Sequence, residues 1–136
     1  APMSRFVVPP PVAEPTRRDN LWQSTCFECF LKGEDEEAYQ EWNFSPSGDW
    51  AAYDFEAERE GMEHAEIASP PYLRTEDNLT WWGLGATLSI PAEAKGSIAL
   101  SAVIEERDGQ RHFFALHHPG EQPDFHHPDC FTARLA

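Results

Sequence analysis

The sequence has no apolar run approaching the roughly 20 residues that a membrane-spanning helix needs. Its opening, APMSRFVVPPP, lacks the charged-then-apolar order of a signal peptide. A soluble protein is expected. Positive charge is scarce: 10 Lys and Arg stand against 24 Asp and Glu, a net charge of −14 with neutral His. Such a surface repels phosphate backbones and anionic lipid heads, so neither nucleic acid nor a membrane is expected as a partner. Three cysteines are odd in number and too few for a disulfide scaffold, which points to free thiols in a reducing cytoplasm. Internal repeats, low-complexity tracts and a convincing amphipathic helix are also lacking. The 136 residues suffice for one domain spanning 1–136 and not for two.

What remains is a series of short β-type runs between turn signals. Residues 1–20 carry five prolines around Phe6 to Val8, which reads as an edge strand followed by an extended arm. Thr25 to Leu31 has apolar groups on both faces and reads as a central strand. Tyr39 to Ser45 sets Gln40, Trp42 and Phe44 against Tyr39, Glu41, Asn43 and Ser45. Trp50 to Glu58 alternates in the same way, and Ser45-Pro46-Ser47-Gly48-Asp49 between them supplies a tight reversal, so the two runs form a hairpin. Glu34 to Glu41 reads as a solvated acidic loop. Glu56 to Asp77 reads as a long crossing connection, interrupted at Pro70 and Pro71, with one short strand near Ala65 to Ala68. Trp82 to Ile90 and Ile98 to Ile104 alternate as strands, and Asp108-Gly109 turns the latter into Arg111 to Leu116. Phe131 to Leu135 is a last short run. About seven strands without a helix argue for an antiparallel β-sandwich.

Three constellations invite a chemical reading. Five of six histidines lie between His112 and His127, and the run from His117 to Cys130 holds every common ligand for a borderline metal. It matches no metal-ligand spacing, however, and imidazoles beside prolines more often fix a loop through backbone bonds. Cys26-Phe27-Glu28-Cys29 has the spacing of a redox or zinc pair, but on a strand residues i and i+3 face opposite ways and cannot close. The five tryptophans carry more: a Trp beside carboxylate and amide side chains holds sugars by stacking on the ring and bonding its hydroxyls. Trp42 and Trp82 alternate with apolar neighbours and are assigned to the core, while Trp22 and Trp50 stand at strand ends where either role fits.

Leu21-Trp22-Gln23-Ser24-Thr25-Cys26-Phe27-Glu28-Cys29-Phe30-Leu31, followed by Glu41-Trp42-Asn43-Phe44-Ser45-Pro46-Ser47-Gly48-Asp49-Trp50, resembles the DOMON-like domains related to family 9 carbohydrate-binding modules. LWQSTCFECFL, EWNFSPSGDWAAYDF, REGM and PDFHHPDCF are similar to the small bacterial members, and the resemblance covers most of Ser4 to Leu135. It implies an all-β antiparallel sandwich short of one or two N-terminal strands, whose exposed sheet edge would favour a homodimer, and a binding module without catalysis. In the sugar-binding branch, the positions of Trp22, Glu28 and Asn43 line the site, and this chain carries Glu41 where that branch has an Arg. The resemblance implies Trp22, Glu28 and Asn43 as ligand-binding residues for a saccharide or other small polar ligand; the reading of the residues adds Trp50, with His126, His127 and Asp129 forming or bracing the rim. The alternative implied by the haem-binding branch is a haem held between Met62 and His117 or His118, a suitable pair of axial ligands. A metal-dependent hydrolase built on the His-rich loop ranks below both.

Overall fold

The computed structural model describes residues 3–78, 80–90 and 94–135. Nine strands follow in order: β1 (Cys26–Gly33), β2 (Tyr39–Phe44), β3 (Trp50–Phe55), β4 (Glu63–His64), β5 (Tyr72–Asp77), β6 (Trp82–Thr87), β7 (Gly96–Glu105), β8 (Arg111–Ala115) and β9 (Ala133–Arg134). Three single 3-10 turns, Met3–Arg5, Leu21–Gln23 and Pro128–Cys130, are the only helical pieces among the described residues, and none is long or apolar enough to cross a membrane. The large sheet runs β4-β3-β2-β1-β7-β8, with β9 beside the start of β7; β5 and β6 form a second, two-stranded sheet. Every strand pairing is antiparallel, and the result is an all-β sandwich.

The period-2 pattern decides what each face of the large sheet carries. Phe27, Cys29, Leu31, Trp42, Phe44, Trp50 and Ala52 point to one side, where Leu73 and Leu84 of the small sheet pack on them. Trp42 stacks on Trp50 with centroids 5.9 Å apart, and Trp82 stacks on Phe27 at 5.5 Å. A fully buried aromatic contributes roughly 1.5–3 kcal/mol, so this layer anchors the small sheet. Trp42 thus occupies the core position expected of it, whereas Trp82 is half-buried, resting on Phe27 at the margin of this layer. The opposite face carries Phe30, Tyr39, Ala51, Tyr53, Phe55 and Ala99, covered by Leu21, Phe125, Phe131 and Cys130 from the connecting segments. The small sheet does not reach the β7–β8 end, where Leu100, Phe114 and Leu116 stay exposed.

The central strand and the hairpin lie where the pattern put them: β1 pairs β2 and β7, and Phe44 faces Trp50 across the reversal. Two elements differ. The crossing connection contains a full strand, β5, which the pattern missed because only Leu73 of its six residues turns inward. The short strand expected near Ala65 sits at Glu63–His64 instead, paired with Tyr53 and Asp54. Among its described residues the proline-rich arm makes no edge strand, only the isolated bridges Phe6 to Glu106 and Arg17 to Trp50, and it crosses the hairpin turn through Val12 N to Ser47 O and Arg18 N to Trp50 O. Gly96 opens β7 at φ 149°, where a Cβ would strike the Lys32 carbonyl oxygen, so glycine is what lets β7 close against the end of β1.

Asp49 ties the arm to the turn. Its carboxylate accepts from Thr16 N at 2.9 Å, and Arg18 Nε lies 3.5 Å from its other oxygen. Asp49→Ala is expected to lower stability by about 1–2 kcal/mol in denaturant melts, the worth of a largely buried charge-assisted hydrogen bond, with no effect on the opposite face of the sheet.

Candidate functional site

The face of the large sheet turned away from β5 and β6 is filled with aromatics at one end and hollow at the other. At the filled end Tyr39 and Phe55 stack at 4.9 Å, and His126 sits edge-on to Phe30 and Phe55 at 5.0 and 5.1 Å. The hollow is a cleft of about 760 Å³ over Glu28, Glu41, Asn43 and Val103. That volume lies within the roughly 300–1,000 Å³ of small-molecule sites.

The floor follows from register. Glu28 of β1 sits opposite Asn43 of β2 and Ser101 of β7, and Glu41, two residues before Asn43, shares its face. Glu28, Glu41 and Asn43 are all buried, Asn43 to 1%. Ser101 Oγ donates to Glu28 Oε2 at 3.2 Å. Neither the oxygen nor the nitrogen of the Asn43 amide has a hydrogen-bond partner in acceptable geometry, although the amide lies near enough to Glu41 to favour its charged form. Burial pushes the Glu28 carboxyl up to about 7 against Ser101 and Arg59, which favour its charged form. Glu41 is pushed to about 8, first by burial and then by repulsion from Glu28. Near neutral pH the two carboxyls therefore hold protons that exposed glutamates would have shed.

The walls come from connecting segments. Trp22, in the turn Leu21–Gln23, is half exposed at the mouth. Asp19 accepts from Tyr53 Oη at 2.6 Å and from His64 Nε2 at 2.9 Å; those two bonds, Tyr53 first, hold its carboxyl below the usual range. Arg59, with left-handed backbone at φ 55°, pairs with Asp124 at 2.8 Å and so fixes the segment that carries Phe125 and His126. The Arg59 N–H donates to Tyr39 Oη at 3.0 Å, and that hydroxyl lies 2.7 Å from His126 Nδ1. With Tyr39 donating to Nδ1, the ring proton sits on Nε2, which faces Glu41 Oε1 at 3.4 Å. Burial and then the Arg59 charge lower His126 to about 4, so at neutral pH this is a contact of an uncharged ring rather than an ion pair.

Of the residues expected at the site, Trp22, Glu28, Asn43 and His126 meet in this cleft, and Met62 joins them. Trp50 does not: its even position in β3 turns it to the other face, where it packs on Trp42 beneath the Arg17 guanidinium. His127 and Asp129 stand outside the lining and brace the Pro128–Cys130 turn, His127 Nδ1 accepting from Asp129 N at 3.0 Å. His117 and His118 do not line the cleft either. Among the described residues no three His, Cys, Asp or Glu side chains converge as metal donors would, and the three cysteines are free, with Cys26 and Cys29 on opposite faces of β1. Glu41, which the sequence pattern set on one strand face with Tyr39 and Asn43 and the resemblance marked as standing in place of an Arg, was not counted among the site residues, and it lines the cleft floor. Asp19 and Arg59 reach the cleft from segments without periodicity and gave no such pattern, and Arg111 reaches it from the start of β8.

Compared with protein-family models, curated proteins and solved structures, the chain matches none.

Proposed function

We propose that the protein is a non-catalytic binding module for a small saccharide, with the cleft on the open sheet face as its site. The observation that carries this reading is Asn43. A side-chain amide buried to 1% with its donor and acceptor both unpaired costs stability, and a ligand offering hydroxyls is what would satisfy it. Trp22 at the mouth supplies an apolar face for a sugar ring, and Glu28 supplies a second polar group beside the amide. The resemblance of Trp22, Glu28 and Asn43 to the sugar-lining positions of DOMON-like domains supports the same assignment. The haem alternative draws less support. Met62 alone of its three candidate ligands lines the cleft, and the His126 ring there is engaged by Tyr39 at Nδ1 and turned to Glu41 at Nε2.

Thermal unfolding with a panel of mono- and disaccharides tests the reading. A ligand at about 100 times its Kd stabilises by roughly 2.7 kcal/mol, a shift of several degrees for this chain length. Trp22→Ala is expected to leave the unliganded midpoint nearly unchanged, because the side chain is 49% exposed, and to remove the sugar-induced shift. A panel without any shift, or a shift that Trp22→Ala leaves intact, would remove the sugar site from this cleft.

A further inference from the structure

Resting on the saccharide reading, we infer that the cleft selects a sugar bearing a protonated amine, which Glu28, Glu41 and the Asn43 carbonyl would hold together. A ligand made of hydroxyls alone leaves the two carboxyls protonated and makes no use of the charge they can carry. The floor carries two buried carboxyls on one face, and among the described residues neither has an ion pair with Lys or Arg: Arg59, whose charge reaches both, is paired with Asp124, and His126 beside Glu41 is a neutral ring. Hydroxyls can donate to these carboxyls, but they bring no charge to offset a second buried negative group. An ammonium group does both. It has three N–H donors and no acceptor, matching Glu28, Glu41 and the unpaired Asn43 Oδ1, while the unpaired Asn43 Nδ2 remains free to donate to a neighbouring hydroxyl. Trp22, Phe113 and Phe125 at the sides would cover the ring's apolar face and shield the charges from water.

The other charged groups around the pair leave room for this. Asp19 faces Tyr53 and His64, and the cations lining the cleft are Arg59, held by Asp124, and Arg111 of β8. Ser101 Oγ bonds Glu28, and Tyr39 Oη is spent on His126 and Arg59. A bound ammonium draws the two carboxyls into their ionised form, so the complex sheds protons that the free protein held.

Calorimetric titration at pH 6.5, repeated in buffers of different ionisation heat, reads both affinity and proton count. The probes are glucosamine, with glucose and N-acetylglucosamine as uncharged controls. Glucosamine is expected to bind about tenfold or more tighter than either control and to release between about one and two protons per site. Glu28→Gln with Glu41→Gln would abolish that preference and the proton release. Equal affinities with no proton released would overturn the amine inference and leave a site for neutral sugars. Binding of none of the three, or binding that persists in Trp22→Ala, would remove the saccharide reading itself and this inference with it.

Discussion

Between about pH 6.5 and 8 the unliganded protein is expected to lose about 2–3 kcal/mol of stability, and a Glu28→Gln, Glu41→Gln variant to lose far less. Both carboxyls are raised on folding, from 4.5 to about 7 for Glu28 and about 8 for Glu41, chiefly by burial. In that window the unfolded chain has already released these protons and the folded chain has not, so the unfolded state gains with every step upward. The stability they contribute is whole below about 4.5 and is lost as the pH climbs through the folded-state values. His126 works the other way. Lowered on folding from 6.5 to about 4, its contribution is whole above 6.5 and is lost as the pH falls toward 4. The two trends oppose one another between 4.5 and 6.5, so the range above 6.5 isolates the glutamates. Urea melts at half-unit steps, wild type beside the double variant, check it. Parallel slopes in the two proteins would mean that the carboxyls are ionised and solvated.

Asn43→Leu is expected to stabilise the unliganded protein while removing its binding. Leucine keeps the amide's branched skeleton, its bulkier methyl groups can extend into the cleft, and a buried amide with no partner costs about 1–3 kcal/mol relative to an apolar group of its shape. The midpoint should rise by a few degrees when measured near pH 6, where both neighbouring carboxyls are largely protonated. Saccharide affinity should fall about a hundredfold or more, because the ligand's polar groups would then be buried against hydrocarbon. Few core substitutions improve stability and abolish function together, and those that do mark a residue kept for its ligand. A loss of stability in Asn43→Leu would show the amide to be satisfied in the folded protein, by water or by Glu41, and would take away the observation on which the site rests.

How much of this was legible in the sequence differs from element to element. β1, β2, β3 and β7 each pack at least one face against a core, so apolar residues recur along them and the strands announce themselves, while β8 was legible through the Asp108-Gly109 turn before it. β5 exposes all but Leu73, so its strand character comes from pairing with β6 and left no periodic trace. The floor of the site was partly readable: Glu28 and Asn43 were singled out through the resemblance. Their meeting across β1 and β2 depends on a register that the hairpin sets and that no single strand encodes. Trp50 failed for the complementary reason. Its place at a strand start suggested the loop end of the sandwich, but parity turned it into the interior. Arg59 and Asp19 reach the cleft through turns and hydrogen bonds between distant segments, links of 65 and 34 residues to Asp124 and Tyr53 that local pattern cannot carry.

The most direct measurement is the side-chain amide resonance of Asn43 in a nitrogen-15 labelled sample, assigned by its disappearance in Asn43→Leu and followed through a titration with glucose and glucosamine. Saccharide binding in the cleft predicts that the Asn43 Nδ2 signal and the Trp22 indole Nε1 signal move together and saturate at one ligand per chain. Sugar-dependent shifts that leave both signals in place, or a titration in which nothing moves, would contradict it.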